Sequence, residues 1–360
     1  MLQPQAILAK RESLRKELIG GEIPRLWCPT LTHYRADGTL DKERMAAHWV
    51  FMQPYVRAFL VPGSTGDGWE MSNAEINTLL DFALELADKL DLLLLVGVLK
   101  TDVDSTVEAI TATVSRLKQK TGEQESFKAL KQSRVCGFTV CPPRGADLTQ
   151  EQMQADLATI LELNLPTAIY QLPQVTENEM FPALIQQLAE GYGNFMLFKD
   201  SSGSDRFALE DRGKSGIFLL RGAEGNYADW LRESGGAYDG LLLSTANCFA
   251  AQLKGIVALL RGGKTDAARN LSDRLTRVLE SVFGLVNNLP QGNPFTNANK
   301  AIDHFMAYGL EAGQMPPPML HSGKRLPKEI MQEVGNILEN AELIPQTGYL
   351  IEARRSHYLS

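Results

Sequence analysis

The chain has little with which to build a metal site, a disulfide framework or a membrane span. Its four cysteines, Cys28, Cys136, Cys141 and Cys248, are scattered and show no Cys-x-x-Cys spacing. That excludes a disulfide scaffold and reads as buried thiols of a reducing cytoplasm. The five histidines (His33, His48, His304, His321, His357) stand at no ligand spacing, so no structural metal and no cofactor is expected. No apolar run approaches the ~20 residues needed to cross a bilayer. Positive charge is also short: the net charge is −7 over 360 residues, which argues against nucleic acid as a partner. A targeting peptide should be poor in acids, and the stretch Leu2 to Ile19 carries Glu12 and Glu17. With Leu8, Leu14, Leu18 and Ile19 among mixed charges and a stop at Gly20-Gly21, it reads as an amphipathic helix added outside the main domain.

What the chain does have is alternation. Apolar strand candidates fall at Ile23 to Cys28, Ala58 to Pro62, Leu92 to Val98, Val135 to Cys141 and Thr167 to Tyr170. Three more follow at Phe195 to Lys199, Ile217 to Leu220 and Tyr238 to Leu243. Helical patterns run between them: Lys42 to Val56, a helix capped by Ser72 with Glu75 at the capping-box position, Asp102 to Lys118, Thr149 to Leu163 and Glu177 to Ala189. The last two strands are each expected to lead into a helix. Eight short strands alternating with helices predict parallel βαβ units closing into a (β/α)8 TIM barrel, with its site at the C-terminal strand ends. The missing G-x-G-x-x-G after the first strand counts against a doubly wound sheet. Gln119 to Arg134 is expected as a surface insertion. The predicted organisation is an N-terminal extension over 1–21, the barrel over 22–262, a C-terminal helical region over 263–345 and a tail over 346–360.

Gly263-Lys264-Thr265 imitates the end of a phosphate-binding loop, but that motif's first glycine would fall on Ala258. The segment also joins two helices instead of following a strand, so it reads as a helix–loop–helix turn. The stretch Phe195-Met196-Leu197-Phe198-Lys199-Asp200-Ser201-Ser202-Gly203 is more informative. It places a lysine at the end of a buried strand, where desolvation lowers the amine pKa and frees it as a nucleophile. A lysine that merely snorkels at a strand end satisfies the same pattern. Strand two ends in Gly63-Ser64-Thr65-Gly66, which suits either a carboxylate or a plain turn. Strand five ends in Tyr170, a core residue or a proton relay. Together they fit one chemistry: an amine, a carboxylate cradle and a proton carrier.

These motifs resemble those of the dihydrodipicolinate synthase/N-acetylneuraminate lyase family of class I aldolases. Gly63-Ser64-Thr65-Gly66 is similar to that family's G-[ST]-T-G loop, Tyr170-Gln171-Leu172-Pro173 to its Y-N-x-P, and Phe198 to Gly203 to its [IF]-K-D-S-S-G. Gly240 to Asn247, which includes Leu242, is similar to the late G-x-I-S-x-x-A-N segment. The resemblance runs in order from about Ile23 to Leu338. It implies a pyruvate-type Schiff base on Lys199, Tyr170 shuttling protons, and Gly63, Ser64 and Thr65 holding the carboxylate, with Leu242 as a further substrate-binding residue. It also implies a homodimer or homotetramer.

Departures narrow the reaction. Where dihydrodipicolinate synthase has P-Y-Y after strand four, this chain has Pro142-Pro143-Arg144; where that enzyme has an arginine beyond Y-N-x-P, this chain has Val175. Asp67 and Gln171 replace the usual glutamate and asparagine. The expectation is a Schiff-base lyase acting on pyruvate or a 2-keto-3-deoxy acid by aldol cleavage, condensation or dehydration. Arg144 is the candidate for holding the second substrate, or else a solvated surface charge. The alternatives are a true 4-hydroxy-tetrahydrodipicolinate synthase, a barrel that binds keto acids without turnover, and an interaction protein dominated by its terminal segments.

Overall fold

The computed structural model describes residues 4–356. Residues 1–3 and 357–360, which include the start of the expected first helix, the end of the expected tail and His357, lie outside the described residues. Eight parallel strands form a closed barrel in sequence order. They are β1 (Leu26–Pro29), β2 (Ala58–Val61), β3 (Leu93–Val98), β4 (Val135–Val140), β5 (Thr167–Gln171), β6 (Phe195–Asp200), β7 (Phe218–Arg221) and β8 (Gly240–Leu242). Closure runs through Leu26↔Leu241 and Trp27↔Leu242. The strands are buried along nearly their whole length, as expected of a parallel sheet wrapped by helices. The expected barrel is therefore present, with strand ends shifted by at most three residues from the sequence reading.

Local chemistry sets the helix starts. Ser72 and Glu75 form the expected reciprocal capping box, and Thr149 with Gln152 forms a second one. Three helical expectations need correction. The Gln119 to Arg134 stretch is not all insertion, because Ser126–Gln132 is a helix that buries Ala129 and Leu130. The single helix expected from Glu177 to Ala189 is instead a turn at Pro173–Thr176 and a helix at Pro182–Gly191. Each starts at a proline, which presets the first helical φ but cannot sit in a helix interior. Between β7 and β8 there is no full helix, only a 3-10 turn at Arg232–Ser234.

The first helix, Pro4–Leu18, presents Ile7, Arg11, Leu14 and Leu18 at spacings of three and four, all buried. Arg11 sits within this otherwise apolar stripe. Its Nε and Nη1 donate to the carbonyls of Phe195 and Ser215, each at 2.7 Å. Nη2 donates to Ala189 and Tyr192 at 2.7 and 3.1 Å. The helix is thus bolted to the barrel where β6 begins. Burial lowers the Arg11 pKa to about 10.

At the opposite end, the helix Pro294–Tyr308 is buried on all sides from Thr296 to Ala307, although it carries Thr296, Asn297, Asn299, Lys300, Asp303 and His304. A buried helix this polar must find partners for those groups. Several of them lie at the barrel mouth.

Candidate active site

The β5–β6 register sets Tyr170 beside Lys199, and β6–β7 sets Lys199 beside Leu220. Lys199 is 4% exposed, and its Nζ stands 3.9 Å from the centre of the Tyr170 ring. Among the described residues no hydrogen bond or ion pair holds that amine. Burial is the largest cause lowering its pKa, to about 7; Cys141, Glu224 and Cys28 pull the other way. A sizeable share of the amine is therefore unprotonated near neutrality, as a nucleophile requires. Room for the side chain comes from Gly222, just past β7: a Cβ there would lie 2.8 Å from Lys199 Cε and closer still to Ser201 Oγ.

The Tyr170 hydroxyl is pushed to a higher pKa, chiefly by burial, while the Ser201 and Ser64 hydroxyls act to lower it. The phenol consequently stays protonated, able to donate, and stands between two hydroxyls that can pass a proton on. Ser201 belongs to the turn after β6. Asp200 holds that turn, accepting from the Ser202 amide at 2.9 Å and the Ser202 hydroxyl at 2.6 Å. Tyr238, whose hydroxyl donates to Asp205 at 2.6 Å, lies 3.3 Å from the other Asp200 oxygen.

The Gly63–Gly66 loop follows β2 as a 3-10 turn over Ser64–Gly66. Its two glycines permit close approach to the end of β1: a Cβ on Gly63 would lie 2.7 Å from Pro29 Cβ, and one on Gly66 would overlap the Thr30 carbonyl. Ser64 Oγ accepts from Trp69 Nε1 at 2.9 Å, which leaves its own proton to donate. Among the described residues, no carbonyl of the surrounding loops accepts the Ser64 or Thr65 amide hydrogen. Two amides and two hydroxyls in one turn are donors of the kind a carboxylate can accept from. Ser64 thus belongs to this donor turn and also interacts with the Tyr170 hydroxyl.

Leu242 lies on β8 beside Trp27, 1% exposed, and offers apolar wall only. Val175 packs with Trp69 against Leu99, Cys141, Tyr170 and Leu172, so one side of the mouth is apolar. Burial raises the Cys141 thiol to about 12. Arg144 is not joined to this constellation. It is half-exposed at the rim, and its guanidinium pairs with Glu177, Nε to Oε1 at 3.1 Å with a second contact through Nη2.

Two features escaped the sequence reading. Glu224, after β7, receives Ser244 Oγ at 2.6 Å, the Thr245 amide at 3.1 Å, the Tyr227 hydroxyl at 2.9 Å and the Thr245 hydroxyl. An acid just beyond a strand's C-terminal end, in Arg221-Gly222-Ala223-Glu224, was the available signal. The second is a meeting of two histidines that have no ligand spacing: His33, His48 and Asp303 offer ligand atoms within 4.8 Å of one another. His48 Nε2 lies 2.7 Å from the Asn247 carbonyl, which can only accept, so that nitrogen carries the proton. Nδ1 of His48 then accepts from His33 Nε2 at 3.2 Å. Asp303 accepts from Arg44 at 2.7 Å and from the Tyr349 hydroxyl at 2.9 Å. The lone pairs facing the centre are taken and a guanidinium stands beside them, so the donor set does not fit a metal ion.

Known proteins share both sequence and fold with this chain. The chain is 24% identical over 281 residues to the 4-hydroxy-tetrahydrodipicolinate synthase of Sodalis glossinidius, spanning 77% of this chain and 87% of that protein. It is 25% identical over 236 residues to the Erwinia tasmaniensis enzyme of the same name, 65% and 73% of the two chains. Among solved structures it resembles YagE, a prophage protein from E. coli K12 in complex with pyruvate, with a TM-score of 0.68, 19% identity and coverage of 90% and 100%. KD(P)GA from T. tenax gives a TM-score of 0.67 at 19% identity, covering 89% and 99%. These last two likenesses speak for the fold. The sequence profile of the dihydrodipicolinate synthetase family matches residues 22–290, the span that carries the Gly63–Gly66 loop, Tyr170 and Lys199, and the chain belongs to that family, whose members are lyases.

Proposed function

We propose that the protein is a class I lyase that binds the pyruvate moiety of a keto acid as a Schiff base on Lys199. The observation that carries this reading is an amine buried at a barrel mouth, free of any ion pair among the described residues and lowered to about pKa 7. The Lys199 lone pair attacks C2 of the keto acid to give a carbinolamine. Tyr170 donates its proton to the departing hydroxyl, which leaves as water and yields the protonated imine. That cation at C2 accepts the electron pair released when the C3–C4 bond breaks: the phenolate left on Tyr170 takes the proton of the C4 hydroxyl, the aldehyde departs, and the enamine remains. Protonation at C3 and hydrolysis then free pyruvate and Lys199; run backwards with an aldehyde, the same steps condense. The substrate carboxylate is assigned to Ser64 and Thr65.

The second substrate is read as lacking a carboxylate at the Val175 side, because that wall is apolar. Aspartate semialdehyde is accordingly expected to condense poorly. Four free, buried thiols support a reducing cytoplasmic setting. The dimer or tetramer rests on family resemblance and is tested by light scattering. The test of the central claim is intact-mass and peptide analysis after borohydride with pyruvate and a panel of 2-keto-3-deoxy acids. One reduced adduct, on Lys199, is expected; a label on Lys100 or any other lysine overturns the assignment, and no adduct with any keto acid favours a different chemistry.

A further inference from the structure

We infer that Lys300 is a positioning residue for the carboxylate cradle: its ammonium fixes Asp67 at the end of the turn and cancels that carboxylate's charge beside the incoming keto acid. The inference rests on reading Lys199 as the imine-forming lysine and Ser64–Thr65 as the cradle. Lys300 lies on the helix Pro294–Tyr308, beyond the segment 22–290 that matches the family.

The face of that helix is built against the turn. Asn293, its N-cap, donates from Nδ2 to the Ser64 carbonyl at 3.2 Å. Thr296 Oγ1 lies 3.0 Å from the Thr65 carbonyl and 3.3 Å from that of Ser64. Lys300 Nζ donates to Asp67 Oδ2 at 3.0 Å and to the Met319 carbonyl at 3.3 Å. Positions 293, 296 and 300 are spaced by three and four, so they share one helix face. Thr32 Oγ1 holds the Gly66 carbonyl at 2.8 Å from the other side. With the turn's carbonyls drawn away toward these donors, its amides and hydroxyls are left for an anion.

Asp67 is the member of this arrangement that needs a cation. It is 2% exposed and adopts a left-handed conformation, φ 61°, at the end of the turn. Tyr34 donates to the same Oδ2 at 3.1 Å, and Lys300 lies 4.5 Å from the Tyr34 ring centre. A buried carboxylate next to a carboxylate-binding turn would repel its ligand, since charges in a dry site interact far more strongly than in water. Lys300, 0% exposed, removes that repulsion and holds the turn in one piece.

The experiment measures the concentration dependence of borohydride trapping with pyruvate and with hydroxyacetone, a carbonyl compound that has no carboxylate. In Lys300→Met the half-saturating pyruvate concentration should rise about ten-fold or more, while that for hydroxyacetone stays within about two-fold. Asp67→Asn removes the negative charge instead, so it should shift pyruvate trapping the opposite way and again leave hydroxyacetone alone. Should Lys300→Met fail to fold, Asp67→Asn and the double variant, which removes both buried charges together, carry the test; the double variant should trap pyruvate within about three-fold of wild type. Unchanged pyruvate dependence in the soluble single variants, or equal shifts for both carbonyl compounds, overturns the inference. A wild-type protein that labels with neither compound instead overturns the Lys199 reading on which it stands.

Discussion

At the closed end of the barrel Arg11 is 1% exposed, and four backbone carbonyls accept from its guanidinium. At the open end of the same β6 line Lys199 is 4% exposed, and its amine meets an aromatic face and, among the described residues, no acceptor. Both are cations taken out of water, and burial is the first cause lowering both pKa values. The outcomes differ because the donors differ. A guanidinium has five N–H groups in a fixed fork and stays charged, so it suits carbonyls that would otherwise be orphaned. An ammonium without partners gives up its proton. The fold spends hydrogen bonds on the cation that holds it together and withholds them from the one that reacts. Lys300 is a third case, equally buried but matched by a carboxylate.

The sharpest way to break the comparison is to remove the unsatisfied cation. Lys199→Met should abolish adduct formation and turnover while making the protein more stable. The sign follows from linkage. The folded-state pKa, about 7, lies below the ordinary 10.5, so the unfolded chain binds more protons between those values and stability rises with pH there. Below about pH 7 the full penalty applies, on the order of 5 kcal/mol as an upper bound. Lys199→Met should therefore melt higher, by most at pH 6 and by little at pH 10. A lower melting temperature at pH 6 would mean that the lysine is held by contacts that Met cannot replace. In the wild type, adduct formation should accelerate as pH rises through about 7.

Tyr170→Phe comes next in size. The ring under Lys199 is kept and only the hydroxyl between Ser64 and Ser201 is lost, so turnover should fall by roughly 10²–10⁴ with little change in melting. Near-normal turnover would make Tyr170 a packing residue.

Much of this was legible before any coordinates. The strands were readable because each is a short apolar run closed by turn residues, and Lys199, Tyr170 and the Gly63–Gly66 loop each end one of them. What stayed hidden depends on closure of the whole chain. Lys300 and Asp67 lie 233 residues apart and show no pattern until the C-terminal helix folds over the mouth. His33 and His48 meet because a loop and a helix converge, not because of their spacing. The absence of a helix after β7 was also invisible, since Asn226 to Ser234 includes residues that a helix would accept. Arg11 is one of the mixed charges of the first helix, and its burial beside Ile7, Leu14 and Leu18 shows only once that helix is packed on the barrel.

The satisfied cation gives a smaller effect of the opposite kind. Arg11→Met leaves the carbonyls of Ala189, Tyr192, Phe195 and Ser215 without their donor, and loss of a buried partner of this sort costs about 3 kcal/mol. Chemical denaturation should show that loss, with kcat for the true substrate within about two-fold of wild type when measured well below the melting temperature, because the site lies at the other end of β6. A large fall in kcat would join the two ends of the barrel functionally.

The smallest expected effect is at Arg144, the rim residue that the sequence offered as a substrate clamp. Its partner in the structure is Glu177, and both side chains are about half exposed. The hydrogen bond to Glu177 raises the Arg144 pKa, so the guanidinium is charged at any working pH. Exposed pairs of this type contribute little, and a lysine can make much the same contact. Arg144→Lys should therefore leave kcat/KM for the second substrate within about two-fold, and pyruvate labelling of Lys199 should be unchanged. Glu177→Gln sharpens the question, because it releases the guanidinium without altering it. If Arg144 is only a solvated charge, Glu177→Gln also changes nothing. If Glu177 keeps a substrate-binding arginine docked until the aldehyde or sugar acid arrives, Glu177→Gln should lower KM for that substrate and Arg144→Lys should raise it. Opposite shifts in the two variants would restore Arg144 to the site.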